Sequence, residues 1–213
     1  MMNSDLERYI EAHCSPEDAL LTELDRETHL RVIHARMLSG NEQGQLLTML
    51  MQMIRPKIAV EIGTFTGYSA ICLAKGMSED ALLHTIEIND ELESIAASFF
   101  AKANLTRQIK AYIGDALEVI PQIEGMIDFV FIDGNKRHYC AYYNAVFPKL
   151  SVGAFMLADN ILWDGKVVQE IDPKDQQTQG IIEFNQMVAA DERVSQVILP
   201  IRDGLSLIRK NKP

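Results

Sequence analysis

Two short segments carry the residue types with the most chemistry in them: Asp133-Gly134-Asn135-Lys136 and Asp159-Asn160. Two carboxylates and one amide oxygen make a hard-oxygen donor set, the kind that suits Mg2+ with waters and substrate completing its shell. Lys136 stands beside that set as a candidate proton acceptor. Three further acids, Glu61, Glu87 and Asp115, fall in or just after apolar runs. Each acid also has a structural reading, because Asp and Asn form turns and cap helices. Asp115, which follows Gly114, stands open between helix cap and adenine contact.

These residues need elements to gather them. Ile58 to Ile62 is a short apolar run broken only by Glu61, and it reads as a buried strand. Gly63 and Gly67 bracket a tight turn, and a helix follows over Tyr68 to Lys75. Strand, glycine turn and helix N-terminus together form a cradle for a nucleotide-like cofactor. The spacing departs from the Gly-x-Gly-x-x-Gly of dinucleotide-binding folds, which counts against a nicotinamide oxidoreductase. Glu87 lies twenty residues after Gly67, where an acid accepts hydrogen bonds from ribose hydroxyls.

Further strands are expected at Leu82–Ile88, Ile109–Ile113, Ile127–Ile132 and Ala154–Ala158, with helices over 90–103, 115–120, 135–149 and 179–190. A turn at Ser151-Val152-Gly153 and a polar loop at 164–178 interrupt them. Two consecutive strands, 194–199 and 205–209, close the chain. Three helices come first, over 4–13, 16–36 and from Asn41 to Arg55. Their expected caps are Ser4 with Glu7, Ser15 with Asp18 and Pro16, and Asn41. The alternation predicts an α/β fold with a doubly wound, mostly parallel seven-stranded sheet, an antiparallel C-terminal edge pair and extra N-terminal helices. We expect one domain, residues 1–55 covering a core of 56–213. In such a sheet the five acids line one crevice at the strand ends, where ligands bind.

Composition narrows the partners. With 20 basic and 30 acidic residues among 213, the net charge of −10 argues against broad nucleic-acid or membrane binding. Cys14, Cys72 and Cys140 are too widely spaced for a metal pair or disulfide framework. No apolar run has the length of a membrane span. The expectation is a soluble cytoplasmic protein.

The ordered set Glu61-Ile-Gly-Thr-x-x-Gly-Tyr-Ser69, Ile86-Glu87, Gly114-Asp115-Ala116, Phe131-Ile-Asp133-x-x-Lys136, Asp159-Asn160-x-x-Trp163-x-Gly165-x-Val167 and Asp203-Gly204-Leu205 resembles the cation-dependent class I O-methyltransferases, which include catechol and caffeoyl-coenzyme A O-methyltransferases. The resemblance runs from about Met37 to Lys210. It implies a Rossmann-like fold, S-adenosylmethionine as methyl donor and Mg2+, Mn2+ or Ca2+ as cation. Asp133, Asp159 and Asn160 would hold the cation. Met37, Ser39, Glu61, Gly63, Ser69, Glu87, Asp115, Ala116 and Asp133 would border the cofactor. Lys136 matches the general base; a solvated lysine, or one paired with a crevice acid, is the other reading. Trp163 would wall an aromatic substrate or sit in the core. A homodimer is implied. Gly134-Asn135 departs from the Ala-x or Ala-Asp common there. Three rival functions remain: a methyltransferase of tRNA hydroxyuridine, for which Arg107, Lys110, Lys136 and Arg137 would supply a basic patch; the nicotinamide oxidoreductase; and a binding protein with a vestigial pocket.

Overall fold

The computed structural model describes residues 4–213. Three helices come first: α1 (Ser4–His13), α2 (Ala19–Arg31) and α3 (Gly40–Ile54). Then follow β1 (Ile58–Ile62), α4 (Tyr68–Gly76), β2 (Leu82–Glu87), α5 (Glu93–Lys102), β3 (Ile109–Ile113), α6 (Ala116–Val119), β4 (Ile127–Ile132), α7 (Tyr139–Val146), β5 (Leu150–Ala158), α8 (Gln176–Ala190), β6 (Val194–Leu199) and β7 (Leu205–Lys210). The seven strands form one sheet in the order β3-β2-β1-β4-β5-β7-β6. β1 to β5 run parallel, and β7 is antiparallel to both β5 and β6. The expected α/β architecture is therefore the observed one.

Alternation along the strands divides the core in two. Ala59, Leu83, Phe129, Phe131 and Leu157 face α2, α3, α4 and α5. Val60, Ile62, Val130, Ile132 and Met156 face α6, α7 and α8. A sheet covered on both faces explains why its central strands read as near-continuous apolar runs. The order in which strands are added along the sheet reverses between β1 and β4, and that switch point is where an open α/β sheet leaves its crevice.

Several local expectations are corrected. α2 starts at Ala19, because Asp18 rather than Ser15 caps it, accepting from Leu20 N at 2.8 Å. Arg31 ends α2, and a separate turn follows at Ala35–Met37. Asn41 does not cap α3; its Nδ2 donates to Ser15 O at 3.0 Å. β5 begins at Leu150, not Ala154. Gly153 (φ 95°) sits in an irregularity of the β4–β5 register rather than a turn. Asp128 helps hold that end of the sheet, accepting from Lys57 N (2.9 Å), Ile58 N (3.2 Å) and Ser151 Oγ (3.3 Å). The helices expected over 90–103 and 135–149 open or close in tighter 3-10 turns, and α8 starts at Gln176 with Asp175 as cap. The cap expected from Ser4 and Glu7 lies outside the described side chains.

Candidate active site

The crevice is built at the C-terminal ends of the parallel strands. After β1 the chain turns through Gly63 (φ 102°) and Gly67 (φ 94°) into α4, and Gly67 is the N-cap residue. Glu61, the fourth residue of β1, is fully buried. Thr85 Oγ1 lies 2.5 Å from its Oε2 and 2.5 Å from Thr64 Oγ1, so a short chain of hydroxyls reaches one carboxylate oxygen. Among the described residues the other, Oε1, is buried without a partner. Burial pushes this carboxyl up to about 8, against the neighbouring hydroxyls of Ser69 and Thr85 and with the charges of Asp133 and Glu87 adding to the rise. A buried acceptor left unpaired is costly unless a ligand satisfies it.

Glu87 ends β2. Its Oε2 accepts from Phe65 N at 2.7 Å and its Oε1 from Asn89 N at 2.9 Å, which fixes the carboxylate while each oxygen keeps a second lone pair. Asp115 caps α6 through Leu117 N at 2.8 Å, so the cap reading holds for that oxygen, and Ala116 is buried directly behind it. Ser69 is buried in the first turn of α4. Ser39 is buried just before α3, whereas Met37 is 54% exposed on the preceding turn. An acid on β2, an acid on β1 with one oxygen open and a glycine turn at a helix N-terminus fit a cofactor that carries hydroxyl and amine donors.

Asp133 follows β4, and Lys136 opens the 3-10 turn after it. Lys136 Nζ lies 2.7 Å from Asp133 Oδ1 and donates to Tyr139 OH, also at 2.7 Å. The hydroxyl of Tyr139 reaches the carbonyls of Ile132 (3.2 Å) and Asp159 (3.0 Å). The lysine is therefore buried and paired with a crevice acid, not solvated. Burial lifts the Asp133 carboxyl above its usual range, with Lys136 pulling down and Asp159 pushing up. α8 packs close behind the turn. A Cβ on Gly180 would come within 2.6 Å of Lys136 O, so only glycine allows that approach.

Asp159 follows β5 directly and is 3% exposed. Its Oδ1 accepts from Asn160 N at 2.6 Å and its Oδ2 from Gln43 Nε2 at 2.6 Å. The strand ends that carry Asp133 and Asp159 are adjacent, and with Asn160 they present oxygen donors without His or Cys. That chemistry fits a hard divalent cation. Trp163 is half-buried, its ring 5.9 Å from Lys136 Nζ, and its Nε1 is buried without a partner among the described residues. Phe65, Asn160, Trp163, Asp164 and Arg202 all have positive φ. Such backbone costs about 1–3 kcal/mol per residue and gathers where a site demands it. Gln43, Tyr139 and Arg202 are the participants that sequence reasoning missed. Tyr139 alone left a signal, in the spacing Asp133-x-x-Lys136-x-x-Tyr139.

The sequence profile of the O-methyltransferase family matches residues 11–211. Caffeoyl-CoA O-methyltransferase 2 of Populus trichocarpa is 33% identical over 187 residues, covering 83% of this chain and 76% of the relative. The O-methyltransferase TomG of Streptomyces achromogenes, solved in complex with SAM, superposes with a TM-score of 0.90 at 26% identity, covering 99% of this chain and all of the other. An O-methyltransferase of Bacillus cereus in complex with SAH gives 0.88 at 27% identity, covering 97% of each chain. The chain belongs to the O-methyltransferase family. It is an S-adenosylmethionine-dependent O-methyltransferase of the caffeoyl-CoA type. The nicotinamide reading falls with that assignment. Among the described residues no helix is long and apolar enough to cross a membrane.

Proposed function

We propose that this enzyme methylates one of two vicinal hydroxyls on a small aromatic substrate, and that it requires a divalent cation to do so. The observation that carries the proposal is the placement of Lys136 Nζ against Asp133 Oδ1, next to the strand end that bears Asp159 and Asn160. Asp133, Asp159 and Asn160 would hold Mg2+, or Mn2+ or Ca2+ in its place. When bound, the cation supplies charge that lowers the pKa of a coordinated hydroxyl.

The chain's own work is binding, orientation and proton movement. The sulfonium of S-adenosylmethionine is already an activated methyl donor, so positioning is the larger task. Glu87 would accept the ribose hydroxyls, and Glu61 Oε1 would take a donor from the cofactor. Gly63, Ser69, Asp115, Ala116 and Asp133 would complete the cradle, with Ser39 and Met37 at its rim. Lys136 would receive the substrate proton at Nζ, and Asp133 and Tyr139 would then hold the ammonium in place. Trp163 would wall the aromatic ring. The caffeoyl-CoA named for the poplar relative makes a caffeoyl thioester the first substrate to try. We read the enzyme as a single domain, a homodimer as the resemblance implies, and cytoplasmic on composition.

A labelled-methyl assay over catechol, caffeoyl thioesters, dihydroxyflavonoids and hydroxyuridine tRNA tests the reading. Label should pass to a vicinal diol. Transfer to single hydroxyls alone, or to the tRNA alone, would contradict it.

A further inference from the structure

Gln43 lies in the first turn of α3 and is fully buried. Its amide is bonded at both ends. Oε1 accepts from Arg202 NH1 at 3.1 Å, so Nε2 is the group that faces Asp159, donating to Oδ2 at 2.6 Å. An arginine can only donate, which settles which way the amide points. Asp159 thus has one oxygen tied to its neighbour's backbone and the other tied to α3. Arg202 is itself anchored: NH2 donates to Leu38 O at 2.9 Å and NH1 also bonds Ser39 O. Three segments distant in sequence, the start of α3, the end of β5 and the β6–β7 loop, meet at this one amide.

We infer that Gln43 is a positioning residue for the cation: it holds Asp159 in the rotamer that ligates, and Arg202 holds Gln43. A neutral amide suits the task. It donates to the carboxylate without neutralising it, and each Asp159 oxygen keeps a lone pair for a cation. An apolar residue would leave Asp159 free to rotate. A lysine would pair with the carboxylate and compete with the cation. Partners of this kind, one bond removed from the metal, typically change its affinity 10–100-fold. The inference rests on the cation-dependent reading above.

The experiment is Mn2+ binding, read by electron paramagnetic resonance and calorimetry on the full-length protein. It compares wild type with Gln43→Met, Gln43→Asn and Asp159→Ala. Met keeps the bulk without the donor. Asn keeps the amide but is one methylene too short to span Arg202 and Asp159. S-adenosylmethionine affinity, measured in chelator, reports whether the cradle is intact. We expect ~10–100-fold weaker Mn2+ binding in both Gln43 variants, with S-adenosylmethionine affinity within about twofold of wild type. If one variant fails to fold, the other decides. Wild-type Mn2+ affinity in a folded Gln43 variant overturns the inference and leaves the cation-dependent reading standing. A parallel loss of S-adenosylmethionine affinity also overturns it, because it marks a general structural role. Absence of Mn2+ binding in wild type, with S-adenosylmethionine and catechol present, overturns both.

Discussion

The carbonyl oxygen of Asp133 fills the space beside Gly63: a Cβ built on that glycine would lie 2.3 Å from it. The turn after β1 and the end of β4 therefore touch at the switch point, and the cofactor turn and the proposed cation ligand share one piece of backbone. Gly63→Ala adds that Cβ at a φ of 102°. The left-handed region alone costs an alanine roughly 1–3 kcal/mol, and the clash adds to it. Urea denaturation should show at least that loss, and calorimetry should show weakened S-adenosylmethionine binding. Wild-type stability with wild-type affinity would mean that the turn and Asp133 are not packed as described.

Glu61 gives the protein without cofactor a pH signature. Its folded carboxyl titrates near 8, against 4.5 for an ordinary glutamate. The folded state thus retains a proton that the unfolded chain releases. The stabilisation is complete below about 4.5 and disappears as pH rises through 8. Glu61→Gln removes the titration. The stability of the glutamine variant relative to wild type should rise between pH 5 and 8, by on the order of 1 kcal/mol per unit. Urea curves for both proteins at pH 5.5 and 7.5 measure it. Parallel pH dependence in the two would place the titration elsewhere.

Much of this site is written locally. The run Ile58–Ile62 with Gly63 and Gly67 shows the strand, turn and helix, because apolar length and glycine placement act within a few residues. The acids at the strand ends are legible for the same reason. What escaped are features fixed by distant partners. The side chain of Asn41, inside α3, is taken from a capping role by Ser15 O, and Asp18 caps α2 while pairing with Lys75. Gly153 reads as a turn until β4 is alongside to hold the register of β5. Gln43 meets Asp159 from 116 residues away and Arg202 from 159, and no spacing rule reaches that far.

Lys136 carries the proposed proton transfer. Lys136→Met keeps the length and removes the amine. Single-turnover methyl transfer should fall by ~10²–10⁴. S-adenosylmethionine affinity should hold, because the amine bonds the Asp133 carboxylate and Tyr139, whereas Asp133 meets the glycine turn through its backbone carbonyl. A near wild-type rate in the variant would show that the hydroxyl loses its proton without Lys136.

One assay reads the cation requirement directly. Label transfer from S-adenosylmethionine to a vicinal diol is followed in a single turnover, first after exhaustive chelation with the metal content verified, then with Mg2+ restored. Asp159→Ala is run beside the wild type. Chelated wild type should be silent, Mg2+ should restore it, and Asp159→Ala should stay silent in excess Mg2+. Full turnover by wild type in metal-free buffer would contradict the cation requirement.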